Sequence, residues 1–162
     1  MLHYLRGDAT DPSTSGPKII AHICNDQGYW GKGFVLAISA RWPQPEEAYR
    51  RWSQTKMDGE EPFSLGAVQL VAVAPDVWVA NMIAQHGIRA KMGVPPIRYG
   101  ALETCLHKLI RLALARQATL HLPRIGCGLA GGSWDKVSAL LEKMVGSLEV
   151  YIYDLQPLQS KG

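Results

Sequence analysis

An uninterrupted apolar run, KIIAHIC at residues 18–24, is the feature that most limits how this chain can fold. A strand with apolar side chains on both of its faces has to be covered on both faces, as the central strands of α/β sheets are. Five further segments predict strands by their apolar or alternating pattern: LHYLR at 2–6, LGAVQLVAVA at 65–74, VWVANMIAQ at 77–85, ATLHLP at 118–123 and EVYIYDL at 149–155. We therefore expect a sheet with the 18–24 strand near its centre.

Between these strands, apolar residues recur at helical spacing. The segments with this pattern are FVLAISARW at 34–42, PEEAYRRW at 45–52, ALETCLHKLIRLALAR at 101–116, and a stretch from Trp134 to near Gly146 with Ser133 as its N-cap. Alternating strands and helices indicate a three-layer α/β/α fold, and the strands on either side of Pro75 and Asp76 indicate a hairpin. The central sheet should therefore be mixed and mostly parallel. The length predicts a single domain, 1–162, whose last few residues form a tail.

Charge and cysteine content narrow the class of ligand and the compartment. A formal charge of +3 favours an anionic small molecule, whereas nucleic acid is possible but not indicated, because no dense Lys/Arg stripe is present. The three cysteines are odd in number and show no CxxC spacing, so we expect neither a disulfide framework nor a metal site. Without a signal-like start or a membrane-length apolar run, we expect a cytoplasmic protein that has no membrane partner and is a monomer.

Two glycine-rich turns each follow a predicted strand and precede a predicted helix. The first is GYWGKG at 28–33, and the second is GCGLAGG at 126–132. In open α/β sheets, ligands bind beyond the carboxyl ends of the strands. Glycines let backbone N–H groups face an anion closely, and a helix N-terminus favours negative charge. The two turns together therefore predict a clamp for a diphosphate.

The second turn also matches two better-known patterns. Gly126, Gly128 and Gly131 have GxGxxG spacing, the dinucleotide fingerprint, but too little chain follows for the remaining parallel strands of that fold. Asp154 stays a possible ribose ligand in that interpretation. The run also approaches a P-loop, but Gly132 stands where the phosphate-binding lysine should be. A dinucleotide site remains an alternative; it predicts preference for intact NAD.

Four segments in order along the chain, LRGDAT, IAHICNDQGYWGKG, LPRIGCGLAGGSW and VYIYDL, resemble the macrodomain family of ADP-ribose-binding α/β/α modules. The resemblance is closest to the subgroup that contains the terminal ADP-ribose protein glutamate hydrolase and the macrodomain of a chromatin remodeller. It implies that the chain recognises ADP-ribose, free or attached to proteins, and needs no cofactor.

The resemblance also implies a role for individual residues. The adenine would lie by Asp8, Ala9 and Tyr153, and the distal ribose by Asn25 and Asp26. The remaining ligand-binding residues would form two phosphate loops: Gly31, Lys32, Gly33 and Phe34 in the first, and Ile125, Gly126, Cys127, Gly128 and Leu129 in the second.

Two departures from the family bear on catalysis. Where the glutamate hydrolase has a nucleophilic lysine and an assisting aspartate, this chain has Gln85 and Ala130, and neither side chain can supply that chemistry. The sequence therefore favours binding over hydrolysis. The alternative is a hydrolase that releases ADP-ribose from proteins or deacetylates O-acetyl-ADP-ribose by another route, with Asp26 or His86 assisting. Cys127 has no evident base partner and is interpreted as a small loop residue.

Overall fold

The computed structural model describes residues 1–155. It contains eight strands and four helices in that range, and the tail predicted at the end of the chain lies outside it. The strands are β1 (Leu2–Arg6), β2 (Lys18–Asn25), β3 (Met57–Asp58), β4 (Glu61–Pro62), β5 (Val68–Ala74), β6 (Val77–Gln85), β7 (Thr119–Leu122) and β8 (Val150–Asp154). The helices are α1 (Phe34–Arg41), α2 (Gln44–Thr55), α3 (Tyr99–Arg116) and α4 (Trp134–Met144).

Six strands form one twisted layer in the order β1-β8-β7-β2-β6-β5. All neighbouring pairs are parallel except β5 and β6, which form the antiparallel hairpin predicted around Pro75 and Asp76. Asp76 has a φ of 59°, the left-handed conformation that such tight turns use. Strand β2 lies between β7 and β6, so the prediction of a central strand is confirmed.

Helices cover both faces of the sheet. Strand β2 shows why both are needed, since Ile19 packs into the cluster under α3 and α4 and Ile20 into the cluster under α1 and α2. Tyr49 and Trp52 of α2 are fully buried in the second cluster, where each aromatic side chain contributes about 2–3 kcal/mol of hydrophobic stabilisation. The three-layer α/β/α fold with a mixed, mostly parallel sheet is confirmed.

A few local features differ from the predictions. The small β3–β4 hairpin was not predicted, because strands of two residues carry no period. Ser133 occupies the N-cap position of α4 with an extended backbone, but its side chain makes no capping hydrogen bond. Its backbone N–H instead donates to the Tyr99 hydroxyl at 2.9 Å. Among the described helices, none combines the length and the apolar character that crossing a membrane requires.

Candidate functional site

The carboxyl ends of five parallel strands meet at one edge of the sheet, in the order β1, β8, β7, β2 and β6. Each strand has a polar side chain at its carboxyl end or in the loop that follows; in the same order, these residues are Asp8, Asp154, Arg124, Asn25 and His86. Adjacent strands are spaced about 4.8 Å apart, so four spacings separate β1 from β6 by about 19 Å. The edge is therefore long enough for an extended nucleotide.

The first glycine-rich turn is organised by Asn25, the last residue of β2. Its Oδ1 accepts hydrogen bonds from the backbone N–H groups of Gln27 (2.9 Å) and Tyr29 (3.1 Å), and its Nδ2 donates to the Tyr29 carbonyl (2.8 Å). The Tyr49 hydroxyl donates to the Asn25 carbonyl at 2.6 Å and accepts from the Gly28 N–H at 3.2 Å. Burial of this phenol raises its pKa, so it stays protonated. The Asn25 side chain is thus engaged in holding the loop.

Beyond these contacts the first turn leaves backbone donors unused. The N–H groups of Gly31, Lys32, Gly33 and Phe34 donate to no acceptor within residues 1–155. Gly33 directly precedes α1, and a Cβ atom there would lie 3.3 Å from Cδ1 of Leu129 in the second turn. The two turns are therefore in close contact.

The second turn is a closed loop. The Gly132 N–H donates to the Gly126 carbonyl at 2.6 Å, and a Cβ atom on Gly132 would lie 2.6 Å from that oxygen. Gly126 has a φ of 76° and packs so closely on Ile97 that a Cβ would be 2.5 Å from its Cδ1. In the described part of the chain, the N–H groups of Gly126, Gly128 and Leu129 have no protein acceptor. Free backbone donors grouped in one glycine-rich turn suit an anion.

Arg124 fixes the start of the second turn. Its guanidinium donates to both carboxylate oxygens of Asp154, at 2.5 and 2.9 Å, and lies 5.4 and 5.2 Å from the ring centres of Tyr4 and Trp134. These hydrogen bonds lower the pKa of Asp154. The Asp154 carboxylate is paired with the loop arginine, whereas the dinucleotide alternative needs it for a ribose. Sequence reasoning missed Arg124, because only the parallel pairing of β7 and β8 brings it to Asp154.

At the β1 end, Asp8 lines a cavity of about 430 Å³ together with Thr10, Ala37, Ala40 and Arg41. Its Oδ1 accepts from the backbone N–H (2.8 Å) and the hydroxyl (2.7 Å) of Thr10, while its Oδ2 has no hydrogen-bond donor within residues 1–155. The neighbouring Ala9 is buried.

Tyr153, the other residue predicted beside the adenine, is 7% exposed, and its hydroxyl is hydrogen-bonded to His121 Nδ1 at 2.8 Å. Its hydroxyl therefore faces the protein interior. Little of the ring is exposed to a ligand.

At the carboxyl end of β6, a hydrogen bond links Asp26 and His86, which the sequence suggested as separate candidates. Asp26 Oδ2 lies 2.7 Å from His86 Nδ1, and Asp26 Oδ1 accepts the Gly87 N–H at 2.9 Å. Gln85, in the position of the hydrolase lysine, is 9% exposed and donates to the Gly87 carbonyl at 3.0 Å. The ionisable side chains at this end of the site are therefore those of His86 and Asp26.

Neither Cys127 nor Ala130 offers reactive chemistry. Burial raises the pKa of the Cys127 thiol, whose Sγ lies 3.4 Å from the Ile125 carbonyl oxygen, so it stays protonated. The Ala130 methyl is buried, and its carbonyl accepts the Ile97 N–H at 3.0 Å. Within residues 1–155, no three His, Cys, Asp or Glu side chains are grouped to hold a metal ion.

Fold and geometry together define a class of protein: an α/β/α module with a glycine-lined, donor-rich edge suited to an anionic ligand. No family model matches the chain. It is 51% identical to a macrodomain protein from Streptomyces coelicolor, whose structure superposes with a TM-score of 0.83 over 95% of this chain and 99% of that one. It is also 49% identical to a Bacteroides thetaiotaomicron protein of unknown function, with a TM-score of 0.91 over 96% and 98% of the two chains. The chain belongs to the macrodomain family.

Curated relatives are more distant. The mouse chromodomain-helicase-DNA-binding protein 1-like is 30% identical in an alignment 164 positions long, which covers 94% of this chain and 17% of that protein. This chain thus spans about a sixth of the length of that relative. An ADP-ribose 1″-phosphate phosphatase from Scheffersomyces stipitis is 23% identical in an alignment 174 positions long, which covers 94% of this chain and 99% of the phosphatase.

Proposed function

We propose that the protein binds ADP-ribose, free or attached to a protein, along the carboxyl-terminal edge of its sheet. The observation that carries this proposal is the pair of glycine-rich turns, which meet at Gly33 and Leu129 and leave seven named backbone N–H groups without acceptors among the described residues. The name of the Scheffersomyces stipitis relative, an ADP-ribose 1″-phosphate phosphatase, supports the choice of ligand.

The diphosphate would lie between the two turns. Gly31 and Gly128 have no atom within 4 Å of where a Cβ would be, so phosphate oxygens can approach the backbone there. Lys32, an exposed cation on the first turn, adds attraction for two negative charges, as does the N-terminus of α1. Phe34 would contribute its free backbone N–H, whereas the N–H of the buried Ile125 already donates to the Pro123 carbonyl at 2.7 Å, so Ile125 would hold the second loop in place.

The adenine would occupy the cavity at the β1 end. The free Oδ2 of Asp8 can accept a hydrogen bond from the exocyclic amino group, which a carboxylate does strongly because it only accepts. Ala9 and Tyr153, both buried beside this end of the sheet, would pack next to the base. The distal ribose would then extend to the ends of β2 and β6, beside Asp26 and His86. We assign Asn25 to positioning the loop, since its side chain is already bonded within it.

Calorimetry with ADP-ribose, NAD and AMP tests the proposal. We expect ADP-ribose to bind more tightly than AMP, which lacks the second phosphate and the distal ribose, and at least as tightly as NAD. No measurable heat with ADP-ribose at high micromolar concentration would exclude the proposal, and a clear preference for NAD would favour the dinucleotide alternative. The matched variants are Asp8→Ala and Asp11→Ala, since Asp11 is an exposed neighbour with only a 3.8 Å ion pair to Arg41.

A further inference from the structure

Trp30 is the one buried residue of the first glycine-rich turn, 28–33, and it directly precedes the four free backbone N–H groups at 31–34. Its side chain is 4% exposed. The indole lies nearly perpendicular to the His22 ring, with ring centres 5.3 Å apart, and at a tilt to the Tyr49 ring at 5.5 Å. The turn is therefore anchored in the protein core through this one side chain.

A closed cycle of four hydrogen bonds begins and ends at Trp30; we call it the Trp30 cycle, and its members are Trp30, Ser39, Glu46 and Arg50. The indole N–H donates to Ser39 Oγ at 2.8 Å, and the Ser39 hydroxyl donates to Glu46 Oε1 at 2.9 Å. Arg50 Nε donates to Glu46 Oε2 at 2.9 Å, and Arg50 Nη2 donates to the Trp30 carbonyl at 3.3 Å. Ser39 lies on α1 and the other two partners lie one turn apart on α2, so the cycle ties the turn to both helices.

The bond from Arg50 to the Trp30 carbonyl fixes the direction of the first free donor. The peptide bond between Trp30 and Gly31 is trans, and in a trans peptide the carbonyl and the N–H that follows it point in opposite directions. Because Arg50 holds the carbonyl towards α2, the Gly31 N–H points away from that helix. This N–H has no acceptor within residues 1–155, and Gly31 itself is exposed.

Glu46 and Arg50 differ from an ordinary surface ion pair. An exposed pair one helical turn apart contributes little by itself, and these two side chains are 34% and 47% exposed. Each, however, makes a second bond that leads to the turn, Glu46 through Ser39 and Arg50 directly. The bond from Arg50 lowers the pKa of Glu46, so the carboxylate is ionised and accepts from both partners at once.

We propose that Glu46 and Arg50 are positioning residues that hold the first turn in the conformation that binds the diphosphate; this rests on the proposed ADP-ribose binding. Arg50 directs the Gly31 N–H towards the ligand, and Glu46 keeps both Arg50 and the Trp30 indole in place. Neither side chain has to touch the ligand. Because the turn is already held when the ligand arrives, binding requires less ordering of the backbone.

Glu46→Gln is a test in which position and charge predict opposite results. Removing a negative charge near an anionic ligand should tighten ADP-ribose binding if charge alone acts. The amide, however, cannot accept from both Ser39 and Arg50, so the proposal predicts that affinity falls about 3- to 10-fold, the size of one net hydrogen bond. Glu47→Gln, the exposed neighbour on α2, is the matched control and should bind at least as tightly as the wild-type chain.

Arg50→Lys keeps the charge but removes the two separate nitrogens that bridge Glu46 and the Trp30 carbonyl. Calorimetry should show a loss of ADP-ribose affinity of about 3- to 10-fold, and Arg51→Lys, at the exposed next position, should show none. The double variant with Glu46→Gln should lose little more than the weaker-binding single variant, because both changes break the same cycle. In ¹⁵N–¹H spectra, the Trp30 indole and Gly31 amide signals should move in Arg50→Lys and stay in place in Arg51→Lys.

Binding of ADP-ribose by the wild-type chain separates this proposal from the proposed function. If the wild-type chain does not bind ADP-ribose, both are overturned. If it binds, and Glu46→Gln and Arg50→Lys bind as tightly or more tightly, the positioning role is overturned and ADP-ribose binding stands. Two losses that multiply in the double variant, or a Gly31 signal that does not move in Arg50→Lys, would overturn the positioning role in the same way.

Discussion

Gly132→Ala is the substitution that most directly tests whether the closed second turn creates the binding site. A Cβ atom at this position would lie 2.6 Å from the Gly126 carbonyl oxygen and 2.7 Å from Ile97 Cδ1. The isoleucine tip can rotate, but the carbonyl belongs to the backbone and also accepts the 2.6 Å hydrogen bond from the Gly132 N–H. The turn therefore has to open to admit the methyl group.

These contacts determine how far the free energy of unfolding should fall. Losing the hydrogen bond costs about 1 kcal/mol, and displacing a packed backbone costs about 1–3 kcal/mol, so unfolding free energy should fall by about 2–4 kcal/mol. Displacing Gly126 also moves a free N–H donor away from the ligand. Because a hydrogen bond to a charged group contributes about 1.5–3 kcal/mol, ADP-ribose affinity should fall about 10- to 100-fold.

Urea denaturation and calorimetry measure the two effects, and Gly128→Ala is the matched control for stability in the same turn. No atom lies within 4 Å of its added Cβ, and its backbone is not in the left-handed region, so its unfolding free energy should change by less than about 0.5 kcal/mol. A Gly132→Ala protein that is as stable as Gly128→Ala, or that binds ADP-ribose with the wild-type affinity, would contradict this role of the closed turn.

Three further predictions concern the ends of the site and the core. Asp8→Ala should weaken ADP-ribose binding about 10- to 100-fold while Asp11→Ala leaves it unchanged by calorimetry, since only Asp8 has a free oxygen in the cavity. Arg124→Lys should weaken binding several-fold without abolishing it, because an ammonium cannot keep the two-oxygen pairing that fixes the turn; a wild-type affinity would contradict this. Burial lowers the pKa of His22 and of His121 to about 4. The unfolded state therefore binds more protons below pH 6.5, and urea midpoints should fall as pH drops from 6.5 towards 4, whereas an unchanged midpoint at pH 5 would refute it.

The layered fold could be predicted because its causes are local. KIIAHIC carries apolar side chains on both faces, so it had to become a central strand with helices above and below it. The sequence could not give the order of the strands, and that order decides which loops meet. Asp26 and His86 are 60 residues apart, and only the parallel pairing of β2 with β6 places them together. The sequence likewise could not give the structural role of Asn25, the residue predicted beside the ribose, whose side chain makes three hydrogen bonds within the loop.

The GxGxxG pattern of the second turn combines glycines that serve different purposes. Gly126 and Gly131 are required by the protein, since a Cβ would lie 2.5 Å from Ile97 in one case and 2.8 Å from Pro95 in the other. Of these three glycines only Gly128 has open space on its side-chain side, which leaves room for the ligand of the proposed function. The GxGxxG spacing therefore arises here from two glycines that pack closely and one that leaves the backbone accessible. It does not require the succession of parallel strands that a dinucleotide fold needs. A glycine motif identifies a ligand only after the glycines that pack have been separated from those that leave room.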